Sequence, residues 1–91
     1  MTAAASPTHL DTLDVGASAT VLRVSAGAGD DEGLHLARRL MELGFVHGEK
    51  VRLLKRGMPG GEPLAVRVGN STFALRRFEA ALISIQLSIP D

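Results

Sequence analysis

One stretch restricts the fold more than any other: residues 57–66 read GMPGGEPLAV, with three glycines and two prolines in ten positions. Glycine permits positive φ and proline restricts φ, so this segment is built to bend sharply. A nucleotide-binding P-loop would continue into a Lys-Ser/Thr pair that opens a helix. Here Leu64, Val66 and Val68 alternate with other residues as in a strand. We therefore interpret residues 57–63 as a connection between two strands.

The pattern on either side of this connection predicts further short strands. Residues 50–56 alternate until Leu54, where the break in alternation predicts a β-bulge. Strands are also predicted over residues 19–24, 72–75 and 83–89, and Gly69-Asn70-Ser71 predicts a tight turn because Gly and Asn tolerate positive φ. Residues 76–80, RRFEA, predict a single helical turn.

One longer helix is predicted over residues 31–43. Asp30 is placed to cap its first turn, and Gly44 to end it in a left-handed conformation with Phe45 folding back. Its polar residues recur every three or four positions and form one solvated stripe. The apolar remainder predicts a helix that packs on a broad surface; it comprises Leu34, Leu36, Ala37, Leu40, Met41 and Leu43.

These elements predict one domain of mainly β structure with one α-helix, arranged as a small SH3-like, partly open β-barrel of about five strands. The folded domain is expected to cover residues 10–91, after a disordered tail at residues 1–9 that has little to bury. The chain has 91 residues, three Phe and neither Trp nor Tyr, so its core must be mostly aliphatic. We expect all three Phe to help fill it.

Composition limits the classes of function. The absence of Cys excludes disulfides and thiolate sites, and ten basic residues balance ten acidic ones. The first residues, MTAAASPTH, lack the features of a secretory signal, and no apolar run reaches the ~20 residues of a membrane span. We expect a cytoplasmic protein that does not insert into the membrane.

A metal site is one candidate for the helix. Asp31, Glu32 and His35 lie at spacings that bring side chains together on a helix face, and such a trio could bind a divalent ion such as iron or zinc weakly. The simpler interpretation is a solvated face with acids in the first turn. No cofactor is required by the sequence, and no grouping of base, nucleophile and carboxylate suggests an enzyme.

Nucleic-acid binding is the main alternative from charge alone. Seven basic residues could line one side of the barrel: Lys50, Arg52, Lys55, Arg56, Arg67, Arg76 and Arg77. Single-strand binders usually add stacking aromatic residues to such charge, and this chain has few. We expect no nucleic-acid partner, and keep a nucleic-acid- or metalloregulator-binding module as the alternative function.

The order of motifs from Arg39 to Ile85 resembles the FeoA family of small cytoplasmic proteins of bacterial ferrous-iron uptake. The first matches are Arg39-Leu40, Leu43-Gly44-Phe45 and His47-Gly48 before Val51. The later ones are Pro59, Gly61 and Pro63, then Ala74, Leu75, Arg76, Glu79 and Ala80. His47 departs from the family pattern, in which Pro is usual.

The resemblance implies a non-enzymatic adaptor that binds FeoB, a membrane ferrous-iron permease with a cytoplasmic GTPase domain. For the partner surface we predict the connection and the following helical turn, namely Pro59, Gly60, Gly61, Pro63, Arg76, Arg77 and Glu79. A homo-oligomer is compatible with the sequence. Three modes of action are compatible with the resemblance: stimulating GTP hydrolysis, gating the transporter or assembling it.

Overall fold

The alternating runs of the sequence pair into one antiparallel sheet in the computed structural model, which describes residues 7–26 and 31–87. Its strands are β1 (Pro7–His9), β2 (Ser18–Val24), β3 (Lys50–Arg56), β4 (Leu64–Val68), β5 (Ser71–Leu75) and β6 (Ile83–Leu87). Their spatial order is β1-β6-β2-β3-β4-β5. The helices are α1 (Asp31–Leu43) and α2 (Arg77–Ala80), and a 3₁₀ turn covers Leu10–Thr12.

Strands β3, β4 and β5 form a meander whose turns follow the sequence prediction. The register between β3 and β4 shifts between Leu53 and Lys55, which confirms the bulge at Leu54. Gly69 adopts a φ of 58° in the turn between β4 and β5. A second register shift, between Val21 and Arg23 of β2, has no counterpart in the prediction.

The N-terminal edge of the sheet differs from the prediction. Pro7–His9, placed by the sequence in a disordered tail, pair with β6, Thr8 lying opposite Ile85. Strand pairing uses backbone groups, so a segment with little apolar content can still join a sheet edge. The predictions for residues 1–6, for the Asp30 cap and for a strand continuing to Ile89 concern positions outside the described residues.

The core is aliphatic, as composition requires, with one fully buried ring. Phe45 is completely buried, and its ring centroid lies 6.2 Å from that of the half-buried Phe73. Phe78 is 59% exposed, so the prediction that all three Phe fill the core is wrong for this residue. It lies on the short helix α2, where the neighbouring Ala80 is the residue that faces the core.

The C-terminus of α1 ends as predicted and places Phe45. Gly44 has a φ of 119°, its N–H donates to the Met41 carbonyl at 3.0 Å, and the Phe45 N–H donates to the Leu40 carbonyl at 3.1 Å. This pair of bonds is a Schellman motif, which satisfies carbonyls left free at a helix end. It turns the chain so that Phe45 enters the core.

Helix α1 covers less of the sheet than its sequence pattern predicts. Only Ala37 and Leu40 of the helix are buried, whereas Leu34 is 52% and Met41 is 44% exposed. The prediction of a broad packing surface is therefore wrong within the described residues. An apolar helix face shows which side can pack, but the partner element decides how much of it is covered; here that partner is β2.

Candidate partner-binding site

The loop of residues 57–63 connects β3 to β4, so it is a strand connection as predicted and not a phosphate loop. The Gly57 N–H donates to the Pro63 carbonyl at 2.9 Å and closes the loop at its base. At its tip, Gly60 and Gly61 have φ values of 87° and 82°, a region that other residues rarely adopt. The Met58-Pro59 and Glu62-Pro63 peptide bonds are both cis.

Helix α2 forms where the sequence predicts a helical turn, and Glu79 closes its first turn. The Glu79 Oε1 atom accepts a hydrogen bond of 2.7 Å from the backbone N–H of Arg76. This is one half of a capping box, the half in which a carboxylate reaches back to the start of a helix. Because Arg76 is a donor and has no acceptor on its side chain, the reciprocal bond is not available to it.

Two hydrogen bonds join this helix to the loop, and we call them the loop–helix latch. The Arg77 backbone N–H donates to Glu62 Oε2 at 2.6 Å. In return, Arg77 Nη2 donates to the Gly60 carbonyl at 3.0 Å. The first bond satisfies an N–H that a helix start leaves free, and the second holds the tip of the loop against α2. The latch brings together the two segments that the sequence nominated as the partner surface.

Beside the latch lies an open pocket of about 680 Å³, which we call the loop–helix pocket. It is lined by Pro59, Glu62 and Pro63 of the loop, Arg76 and Glu79 around the start of α2, Arg39 of α1 and Ala74 of β5. Four of the seven predicted surface residues therefore line one pocket. The other three, namely Gly60, Gly61 and Arg77, lie at the latch, where the Arg77 guanidinium also approaches Gly61.

Sequence reasoning missed two charged residues of this pocket. Arg39 is one of the polar residues of the predicted helix, which the sequence pattern places on its solvated stripe, and no local pattern relates it to a loop some twenty residues later. Glu62 stands between two loop prolines, and its role appears only once α2 is placed beside it. Glu62 is close to the start of α2 in space but distant from it in sequence, so no periodic sequence pattern could predict this contact.

The charged side chains of the pocket differ in whether they are hydrogen-bonded to the protein. Glu62 and Glu79 each accept a hydrogen bond from a backbone N–H. Within the part of the chain that the structure describes, the guanidinium groups of Arg39 and Arg76 form neither a hydrogen bond to a protein acceptor nor an ion pair. The pocket thus holds two engaged anions and two cations available to a ligand.

The predicted metal trio is not assembled into a site. Asp31, Glu32 and His35 are all exposed on α1, and residues 7–26 and 31–87 contain no group of three or more His, Asp or Glu placed to hold a metal ion. His47 Nδ1 lies 3.0 Å from the Leu22 carbonyl. A carbonyl only accepts, so Nδ1 carries the proton in this contact.

The basic residues considered for nucleic acid are largely committed to the fold. Arg52 Nε donates to the Gly16 carbonyl at 3.1 Å, and Arg56 Nη2 donates to the carbonyls of Asp11 and Leu13 at 2.6 and 3.1 Å. Together with Arg67 and Arg77, four of the seven candidates bond backbone carbonyls. They do not form a continuous row of free cations.

Among the described residues, no helix has the length and apolar character needed to cross a bilayer.

Comparisons with known proteins agree with this architecture. Residues 8–87 match the family model of the FeoA domain. FeoA of Stenotrophomonas maltophilia is 44% identical to this chain, and the match covers 87% of this chain and 89% of that one, with a TM-score of 0.77. That protein was crystallised in complex with zinc and is described as a prokaryotic SH3 domain protein and candidate ferrous iron transport activating factor. FeoA of Chlorobium tepidum is 33% identical over 92% of this chain and 73% of that one, with a TM-score of 0.74.

A manganese-dependent transcriptional repressor shares the fold at a TM-score of 0.74, with 18% identity over 97% of this chain and 45% of the repressor. A comparison with curated protein sequences gives no match. The predicted SH3-like fold is confirmed, with six strands in the described residues where about five were expected. The extent of the family match and the identity to a solved FeoA lead to one conclusion: this chain belongs to the FeoA family, whose members are associated with ferrous iron transport.

Proposed function

We propose that the protein is a non-enzymatic accessory protein of bacterial ferrous iron uptake. In this proposal it binds the cytoplasmic side of a FeoB-type permease that carries a GTPase domain, and modulates its transport. Family membership supports the transport role. The observation that supports a binding role is the gathering of Pro59, Pro63, Arg76 and Glu79 in one pocket.

The contacts of the pocket favour a binding surface over a catalytic one. Its two carboxylates, on Glu62 and Glu79, accept hydrogen bonds from backbone N–H groups, an arrangement that supports α2. Each acid therefore has a structural task that explains its position. A cytoplasmic location follows in this proposal from the partner, because the GTPase domain that it would meet lies there.

Direct association with the permease tests the proposal. The full chain would be added to intact FeoB-type permease in nanodiscs, without nucleotide, with GDP and with a non-hydrolysable GTP analogue. We expect association in at least one nucleotide state, measured by biolayer interferometry. Absence of association in all three states, with and without ferrous iron, would contradict the proposal.

A matched pair of variants locates the surface. Arg76→Glu reverses a charge in the pocket, whereas Arg67→Glu reverses one on the exposed side of β4. We expect the first variant to bind about tenfold or more weaker and the second to bind like the wild type, since a contact at an interface centre contributes on the order of 1–2 kcal/mol or more. Arg77 is unsuited to this test because its guanidinium group forms one of the two hydrogen bonds of the latch.

A further inference from the structure

The charged side chains that line the loop–helix pocket indicate what kind of partner it can bind. Four of its seven lining residues are charged, two of each sign. Its acids are engaged by backbone N–H groups, while the guanidinium groups of Arg39 and Arg76 have no protein acceptor among residues 7–26 and 31–87. The guanidinium groups are therefore the charged groups of the pocket whose hydrogen-bonding capacity is wholly unused by the described residues.

We propose that this pocket binds an acidic segment of the partner protein, with Arg39 and Arg76 contacting its carboxylates. This inference rests on the proposed function and specifies the partner chemistry of the same site. Guanidinium groups form charge-assisted hydrogen bonds with carboxylates, and Arg is among the residues enriched at the centres of interfaces. Charge complementarity of this kind also steers association.

The remaining lining residues favour a peptide carboxylate over a phosphate or an apolar small molecule. Glu62 and Glu79 line the pocket together with the arginines, and their charges repel any anion; a dianionic phosphate is repelled about twice as strongly as a carboxylate that carries one charge. Pockets for small molecules are mostly apolar, whereas this one is dominated by charged side chains. Pro59, Pro63 and Ala74 offer a limited apolar surface that suits the aliphatic parts of a peptide.

The backbone at the two arginines is held by structure already formed in the free chain. Arg76 stands directly before α2, whose start is bonded to Glu79 and to the loop through the latch. Arg39 lies on α1, whose C-terminus is closed by the Schellman motif and followed by the buried Phe45. A surface that is already ordered loses less conformational entropy on binding.

Two double variants of the full chain test the inference. Arg39→Gln/Arg76→Gln removes both pocket charges, and Arg23→Gln/Arg38→Gln removes two exposed charges that do not line the pocket. Both change the net charge equally, so non-specific attraction changes equally. Binding to the intact permease in nanodiscs is measured for each, after thermal unfolding has shown that both remain folded. We expect the pocket variant to bind about tenfold or more weaker and the control within about twofold of the wild type.

A peptide array tests whether the ligand of the pocket is an acidic peptide. Overlapping peptides that cover the cytoplasmic parts of the permease are arrayed and probed with the full chain, with and without inorganic phosphate. We expect the bound peptides to be acidic, to lose binding when Asp and Glu are replaced by Asn and Gln, and to resist phosphate competition. The inference would be overturned if the two double variants were weakened equally or if the pocket variant bound like the wild type. It would also be overturned if no peptide bound, if peptide binding survived the amide replacements or if phosphate displaced the peptides. Failure of the wild-type chain to bind the permease would instead overturn the proposed function.

Discussion

At the residue scale, the loop depends most on Gly57. A Cβ atom built at this position would collide with the carbonyl group of Glu62, which crosses directly over the glycine. The close approach allows the Gly57 N–H to reach the Pro63 carbonyl and close the loop. Gly60 differs from it, because a Cβ there meets no atom within 4 Å and only its φ of 87° restricts substitution.

Because of this contrast, we expect alanine substitutions at Gly57 and Gly60 to lower stability by different amounts. Gly57→Ala must displace the loop backbone and is expected to lower the free energy of unfolding by about 2–3 kcal/mol or more. Gly60→Ala places a side chain at positive φ in open space and is expected to cost about 1 kcal/mol. Urea denaturation of both variants gives the comparison, and an equal loss in the two would contradict the role assigned to Gly57.

Glu62 is the second residue whose role can be measured directly. Glu62→Ala removes the acceptor of the Arg77 N–H, and we expect a loss of about 1 kcal/mol, comparable to the loss of a helix cap. Glu62→Gln keeps an acceptor and is expected to lose less. Urea denaturation measures both against Glu42→Ala, which removes an exposed acid of α1 that does not line the pocket. A Glu62→Ala variant as stable as Glu42→Ala would show that the hydrogen bond between Glu62 and the Arg77 N–H does not stabilise the fold.

At the element scale, phenylalanine residues in different elements differ in how deeply they are buried. Phe45, placed by the C-terminal cap of α1, is fully buried, whereas Phe78 on α2 is largely exposed. The four-residue helix α2 is held by Glu62, Glu79 and the buried Ala80, so it does not need the ring of Phe78 for its position. The Phe78 ring therefore lies on the surface of α2 and contributes little to the core.

The two phenylalanines should respond differently to truncation. Phe45→Ala empties a fully buried site and is expected to cost about 3–5 kcal/mol, a large part of the stability of a small domain. Phe78→Ala is expected to change stability by about 0.5 kcal/mol or less. Thermal and urea unfolding measure both; if Phe45→Ala does not fold, Phe45→Leu should still show a loss larger than that of Phe78→Ala. A large loss for Phe78→Ala would contradict its exposed placement.

At the scale of the whole molecule, charge is balanced, and four of the seven basic residues considered for nucleic acid are hydrogen-bonded to backbone carbonyls. The chain carries ten basic and ten acidic residues, and two arginines of β3, Arg52 and Arg56, bond the backbone carbonyls of Gly16, Asp11 and Leu13. The fold is shared with a transcriptional repressor at 18% identity, a likeness that concerns the fold alone. Electrostatics thus favour local recognition in a pocket over attraction of a polyanion.

We expect no salt-dependent affinity for nucleic acid. An electrophoretic mobility assay with single- and double-stranded DNA and RNA should show no complex at low salt, because phosphate binding requires a cluster of available cations. A complex that weakens steeply as salt increases would contradict this expectation. In that case the alternative of a nucleic-acid-binding module would be favoured.

The sequence alone determined the elements whose signals are local. The predicted bounds of α1, β3 and β4 agree with the structure, because helix and strand periodicity, turn residues and caps act between neighbouring positions. The bulge at Leu54 and the left-handed end at Gly44 were predicted for the same reason. The nomination of the loop and of residues 76–79 as one surface came from the family resemblance, and the structure brings them into contact.

Tertiary structure decided everything that depends on contacts between distant segments. Strand β1 forms because β6 offers backbone groups to pair with, which no side-chain pattern reveals. Phe78 is exposed and α1 is only partly covered because the neighbouring elements determine burial. Arg39 and Glu62 belong to the pocket only because α1, the loop and α2 meet in space. Local periodicity specifies each element, whereas the packing of the elements specifies the composition of the site.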